Sequence, residues 1–369
     1  MKKRILLINE DPMMSQFLRD KLGACDFEVE GTGTGFAAIE LFKANKADLV
    51  LIDPVLFTMD GPSAILGIRA ISHATPIFVF SNLPRTMVRA CEKAGATKIL
   101  SAPVNPLPML IAEIETLFQT NLEGYEMNTQ NTDEFWLASC MSASMATLKS
   151  MRLAAYSYAK TRSNQSLLYN VFREAHQISQ RAASVGLLAI QKITAAIEML
   201  VYDLYEMPEQ INDSTVRTAV QSIDFLGTLL ETNNLVRLSD PASSAVFAVD
   251  DEADALDTIA GAMDMAGLKT STALNGTDAM GILQDVDFKL IFVDIGLPGI
   301  SGFDLCKQAR TIPRHQKTPI VFLTGMATFQ NRALSTLSGG NDFIGKPFNL
   351  YELGVKALTW IYKGQLGLV

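Results

Sequence analysis

A chain of 369 residues is longer than one hydrophobic core ordinarily serves, so two or three domains are expected. With 48% hydrophobic and 19% charged residues and a net charge of −8, it has a globular balance and no basic surplus for neutralising nucleic-acid phosphates. The apolar run Ile5 to Ile8 is too short for a signal peptide or membrane span, so the expectation is a cytoplasmic protein with no membrane insertion and no nucleic-acid partner. The four cysteines, Cys25, Cys91, Cys140 and Cys306, form no CxxC or Cys/His cluster and read as small buried hydrophobes.

In chain order, ILLI leads to Glu10 and Asp11, DLVLI to Asp53, PIFVF to Ser81, and TKILS to Ala102 and Pro103. The polar stretch NLEGYEMNTQNT follows and reads as a linker. From about residue 130 to 235 strand alternation gives way to helical stretches, among them SLLYNVFREAHQISQRAASV and AIQKITAAIEMLVYDLY. Gly186 can separate these two, Pro208 stops the second, and Asp213 or Ser214 is expected to cap a last helix, STVRTAVQSIDFLGTLLE. After the linker LSDPASS the opening pattern returns: AVFAV leads to Asp250 and Asp251, KLIFV to Asp294, PIVFL to Thr324, and DFIG to Lys346 and Pro347.

The two ends of the chain are therefore an internal repeat. Asp11 to Asp53 spans 42 residues and Asp251 to Asp294 spans 43, with following intervals of 28 against 30 and 21 against 22. Continuous Val/Ile/Leu/Phe strands alternating with helices predict two doubly wound α/β domains with parallel five-stranded sheets, joined by an all-α bundle. The expected boundaries are 1–120, 121–243 and 244–369. In such sheets ligands sit beyond the carboxyl ends of the strands, where every polar residue just named falls.

Three carboxylates converging there repel one another unless a cation joins them, and hard oxygen ligands suit Mg²⁺. A hydroxyl and a lysine facing the same point would stabilise a phosphoryl group, which makes a phosphoryl-accepting aspartate the simplest inference. A single strand-end aspartate can equally be a helix cap. The matching spacing of the whole second set argues against that reading here.

The residues VDD, DIGLPGISG, PIVFLTG and GKPF give residues 244 to 365 a resemblance to the receiver domain of two-component response regulators, with its flavodoxin-like fold. The resemblance implies Asp294 as phosphoacceptor, and Mg²⁺ held by Asp250, Asp251, Asp294 and the carbonyl of Gly296. It also implies that Thr324 and Lys346 assist the transfer and that Phe343 is the switch aromatic. Residues 1 to 120 resemble the same family with departures: Glu10, Asp11, Asp53 and Ser81 are kept as a degenerate site, but Ala102 replaces the lysine, Pro54 follows the acceptor, and Phe57 replaces a proline. Phosphorylation of Asp53 is expected to be impaired.

FREAHQISQRAASVGLLAIQKITAAIEML resembles a histidine phosphotransfer domain, with His176 as candidate phosphohistidine. Ser179 stands where that family often has lysine and Gln180 where it usually has glycine, and Arg173, one turn earlier, is a candidate replacement charge. At about 100° per residue His176 lies on the edge of the apolar stripe, so at least partial exposure is expected. His73 and His315 lie in loop-like sequence and are expected to be exposed and without function.

The resulting reading is a non-enzymatic phosphoacceptor protein. A sensor histidine kinase or phosphotransfer protein would phosphorylate Asp294, and the bundle and the degenerate N-terminal receiver would act by contact with a downstream protein, with the bundle as a candidate homodimer interface or, alternatively, as a relay through His176. Gly296 and Met326 offer no polar side chain to orient an attacking water, which predicts slow loss of phosphate. An aspartyl phosphatase is the rival from another class, but it usually needs a second acid two residues after the nucleophile, and Gly296 and Val55 stand there. A pure scaffold is the third alternative.

Overall fold

Alternation along the first strand shows why its sequence reads as continuously apolar. In β1 (Arg4–Ile8), Ile5 and Leu7 join one buried cluster with Phe17, Leu22, Leu110 and Ile114, while Leu6 and Ile8 join another with Phe42, Ile65, Ile68 and Cys91. Both faces are covered, so no position from Ile5 to Ile8 is left for a polar residue. The computed structural model describes residues 2–80, 83–100, 106–119, 130–232, 238–243, 245–325 and 337–369. Ser81, Ala102 and Met326 lie outside them.

The first sheet adds β2 (Glu28–Thr32), β3 (Leu49–Ile52), β4 (Ile77–Phe80) and β5 (Lys98–Leu100), all parallel, in the order β2-β1-β3-β4-β5. Helices α1 (Pro12–Ala24), α2 (Gly35–Ala44), α3 (Gly61–Arg69), α4 (Arg85–Ala94) and α5 (Pro106–Phe118) alternate with the strands. The second sheet has β6 (Ala245–Val249), β7 (Lys269–Ala273), β8 (Leu290–Asp294), β9 (Ile320–Thr324) and β10 (Asp342–Gly345) in the equivalent order, β7-β6-β8-β9-β10.

Between the sheets lie α6 (Gln130–Thr161), α7 (Gln165–Ser184), α8 (Leu188–Glu206) and α9 (Asp213–Glu231). Helices α10 (Ala253–Met265), α11 (Gly276–Asp285), α12 (Gly302–Thr311) and α13 (Leu350–Gln365) flank the second sheet. The fold class is thus two five-stranded parallel α/β domains joined by a helical region. The helical region is shared between two compact units, Met1–Met151 with Asn170–Ala195 and Arg152–Tyr169 with Ala196–Val369.

Local signals end the helices largely where the sequence places them. Gly186 adopts φ +73° after α7, a left-handed conformation that favours glycine, and Pro208 opens a 3₁₀ turn after α8. The cap of α9 is Asn212 rather than Asp213 or Ser214, because its side chain accepts from the amides of Ser214 and Thr215 while the Thr215 hydroxyl returns a bond to its backbone. Asn349 caps α13 through the amides of Tyr351 and Glu352.

His315 departs from its expected exposure and is fully buried. Its Nε2 lies 3.1 Å from the carbonyls of Leu283 and Val286, and its Nδ1 lies 3.1 Å from the Thr318 hydroxyl, so it ties the end of α11 to the turn before β9. Burial pushes its pKa down. A buried histidine inside loop-like sequence leaves no periodic trace, because its niche is made by the carbonyls of Leu283 and Val286 and the stacked ring of Phe288, about thirty residues away in the chain.

The start of the helix after each acceptor strand needs glycine. A Cβ on Gly302 would lie 2.1 Å from the Asp294 carbonyl oxygen, and one on Gly61 would lie 2.2 Å from Cβ of Pro54. Gly302→Ala should therefore destabilise its unit by about 1–3 kcal/mol through overpacking against backbone. Thermal unfolding measures this, and an unchanged melting temperature would contradict the close approach.

Candidate functional site

The second unit gathers its polar residues at the carboxyl ends of β6, β8, β9 and β10. Asp250 follows β6 directly, Asp294 ends β8, Thr324 ends β9 opposite Gly345, and Lys346 follows β10 with its amide 2.7 Å from the Thr324 carbonyl. Parallel register thus brings residues from four strands to one edge. Asp250, Asp294 and Thr324 are buried, while Asp251 is exposed.

Lys346 Nζ lies 2.8 Å from Asp250 Oδ2 and 3.0 Å from Asp294 Oδ1. The amide of Gly296 donates to Asp294 Oδ2 at 2.6 Å, so Gly296 reaches the acceptor through its N–H. Burial holds the Asp250 carboxyl above its ordinary range, with the Lys346 bond opposing and the Asp294 charge adding to the rise. Burial works against the Lys346 ammonium, but its bonds to Asp250 and Asp294 outweigh this and raise its pKa.

Among the described residues, Asp250, Asp251 and Asp294 form the one group of three or more side chains able to share a metal ion, with ligand atoms within 4.8 Å of one another. All are hard oxygens, and three carboxylates brought this close repel one another, a repulsion that a divalent cation would relieve. The site fits Mg²⁺.

The first unit has the same frame with different contents. The Asn9 amide bonds the carbonyl of Thr32, the last residue of β2, just as the Asp250 amide bonds Ala273, the last of β7. Asp11 caps α1, as Glu252 stands at the cap of α10. The structural counterparts of Asp250 and Asp251 are therefore Asn9 and Glu10, one residue earlier than the acidic pattern Glu10 and Asp11 suggests. Asn9 and Asp53 are 44 residues apart, and so are Asp250 and Asp294.

His176, expected to be partly exposed, is 2% exposed. Its Nε2 lies 3.2 and 3.3 Å from the two carboxylate oxygens of Asp53, and Nε2 of Gln180 lies 3.1 Å from the same ring nitrogen. Arg181 grips Asp11 with Nε at 2.6 Å and Nη2 at 3.1 Å, and Arg173 pairs with Glu10. Burial raises the pKa of Glu10, with Arg173 opposing. The face of α7 that carries these residues is polar, so its burial cannot be read from that helix's own apolar stripe.

The structure also shows contacts that the sequence reading missed, between α9 and the second sheet domain. Glu352 accepts from Ser214 at 2.6 Å and from Thr218 at 2.8 Å, and Ser222 meets Thr359 at 3.0 Å, so residues at four-residue spacing along α9 meet two positions of α13. The Arg217 guanidinium lies 4.0 Å above the Phe343 ring and donates to the Phe343 carbonyl at 3.1 Å. The recurrence of Ser214, Thr218 and Ser222 on one helix face was the available signal.

Comparison with known proteins agrees with this frame. The model of the response regulator receiver domain matches residues 5–114 and 246–357, more than half the chain, and the chain belongs to that family. It is 30% identical over 114 residues to the uncharacterized transcriptional regulatory protein YrkP of Bacillus subtilis, covering 31% of this chain and 48% of YrkP. It is 31% identical over 154 residues to protein RcaC of Microchaete diplosiphon, covering 41% of this chain and 20% of RcaC. The chain thus spans about half the length of the first relative and a fifth of the second.

Among solved structures, chemotaxis protein CheY4 of Vibrio cholerae matches at 28% identity, covering 32% of this chain and 98% of CheY4, with a TM-score of 0.31. The chain thus carries two domains of the receiver family of response regulators. Among the described residues no helix is long and apolar enough to cross a membrane.

Proposed function

We propose that the protein signals through phosphorylation of Asp294, taking the phosphoryl group from a histidine kinase or phosphotransfer protein, with protein contact as its output. The observation that carries this reading is the second unit's strand-end edge, where Lys346 lies 3.0 Å from Asp294 beside the Asp250 and Asp251 carboxylates and Thr324 ends the neighbouring strand. An Asp294 carboxylate oxygen forms the new bond to phosphorus as the bond from phosphorus to the donor breaks. Lys346 pairs with the transferred group and the Thr324 hydroxyl supplies a hydrogen bond. Held by Asp250, Asp251 and Asp294, Mg²⁺ would neutralise charge on the phosphoryl oxygens.

Incubation with acetyl phosphate and Mg²⁺ should add one acid-stable, base-labile phosphoryl group per chain. Equal uptake with a chelator in place of Mg²⁺ would overturn the reading. With no polar side chain on Gly296 to orient water, the adduct should persist for far longer than seconds.

Phe343 links this edge to α9. A cation–π contact is worth about 0.5–2 kcal/mol, so movement of the ring would weaken the hold on Arg217 by a similar amount. Arg217→Ala should give α9 faster amide exchange before any phosphoryl donor is added, and phosphorylation should then change that exchange little. Exchange identical to wild type in both states would exclude Arg217 as the coupling residue.

A further inference from the structure

We propose that α7 is the resident ligand of the N-terminal receiver, with Arg173, His176, Gln180 and Arg181 holding its strand-end site closed to a divalent cation and to phosphoryl. This inference concerns the first unit and stands whether or not Asp294 is phosphorylated.

The first unit does not fit the metal that the second one fits. Of the three positions that carry carboxylates in the second copy, Asn9 is a neutral amide bonded to Asp53 at 3.5 Å and to Gln180 at 3.4 Å. Glu10 is taken by Arg173 and Asp53 by His176. In the second unit the site's positive charge comes from Lys346, at the end of the domain's own strand. In the first it comes from a helix outside the sheet domain. Guanidinium groups fix carboxylates with directed, paired hydrogen bonds, as the two bonds from Arg181 to Asp11 show, and these remain without any metal.

The positions that set the two copies apart are complementary to α7. Phe57 stands where the second copy has Pro298, and its ring lies 4.6 Å below the Arg173 guanidinium. Glu10 replaces Asp251 with a side chain one methylene longer, and it meets that same arginine. Asn9 replaces Asp250 and bonds Gln180.

A second contact anchors the arrangement. Trp136 on α6 packs edge-on against Phe17 of α1, with ring centroids 5.3 Å apart, inside the receiver's own core. At 3.2 Å the imidazole and Asp53 are at hydrogen-bond distance, with no room for a phosphorus atom between them. The N-terminal receiver therefore shields His176 from outside donors and acceptors, and His176 shields Asp53 in turn.

Carbethoxylation of the full chain by diethylpyrocarbonate, mapped by mass spectrometry, tests this with internal references. His73 is exposed and His315 is buried in the other unit. In wild type, His176 should react at least about tenfold more slowly than His73, as expected for a side chain reached only through local opening. Millimolar Mg²⁺ should not speed it.

Arg173→Ala combined with Arg181→Ala should raise the His176 rate about tenfold or more by removing both charge-assisted anchors. His315 should stay protected, and Cys25 and Cys91 in the receiver core should stay closed to iodoacetamide. If the cysteines open, the variant has unfolded, and Asp53→Ala becomes the deciding variant with the same expectation. Wild-type His176 reacting as fast as His73, acceleration by Mg²⁺, or continued protection of His176 in a folded variant would each overturn the proposal.

Discussion

Asp294→Asn should reduce Mg²⁺-dependent phosphoryl uptake to background, because the first unit cannot take over. Asp53 has the acceptor's place on its strand, but His176 covers both its oxygens and Asn9 supplies no charge to hold a cation beside it. Lys346→Met should give a graded loss instead. Losing a charge-assisted bond costs about 1.5–3 kcal/mol, which corresponds to uptake slower by roughly 10- to 150-fold. The variant keeps Asp250, Asp251 and Asp294 for the metal. Radiolabelled donor and short time points would measure both effects, and uptake by Asp294→Asn equal to wild type would contradict the assignment of the acceptor.

Lys356→Met should be the most destabilising of the substitutions considered. Lys356 Nζ lies 2.7 Å from Asp342 Oδ2, with side chains only 3% and 8% exposed, and Trp360 Nε1 reaches the same oxygen at 3.2 Å. Removing Lys356 takes the main partner from a buried charge and leaves it the Phe343 amide, Trp360 and the Arg217 charge, a loss of up to about 3–5 kcal/mol. Adding Asp342→Asn to Lys356→Met should recover much of it, because the orphaned charge is then gone.

Burial works against ionisation of Asp342, but the charge and bond of Lys356 outweigh it and hold the carboxyl below its ordinary range. A depressed carboxylate stabilises the fold fully above its unfolded pKa, about 4 for aspartate, and that contribution is lost as pH falls through the folded value. The wild type should therefore lose stability on acidification below about pH 4 more steeply than the double variant. Parallel acid-unfolding curves would argue against the pair.

The strands and the acceptor positions were legible because a strand buried on both faces leaves a continuous apolar run that ends at a polar residue. The same rule slipped by one residue at the first copy. There Glu10 and Asp11 look like an acidic pair, whereas the register of β1 against β2 sets Asn9 and Glu10 in those places and leaves Asp11 as a helix cap. His176 defied its helical periodicity for another reason: the side chains that bury it come from Asp53 and its neighbours, far away in the chain. Gln180, which in the sequence stands where the phosphotransfer family usually has glycine, is in the structure a partner of both His176 and Asn9. Departures on α7 and departures at the β1 edge make sense only as a set, and nothing in either segment alone shows that they meet.

The most direct measurement is the position of the phosphoryl group on the intact wild-type chain after incubation with acetyl phosphate and Mg²⁺. Borohydride trapping of the acyl phosphate, with a parallel digest kept neutral for phosphohistidine, would assign it by tandem mass spectrometry. Modification at Asp294 alone is the predicted result. Substantial modification at Asp53 or His176 would contradict it.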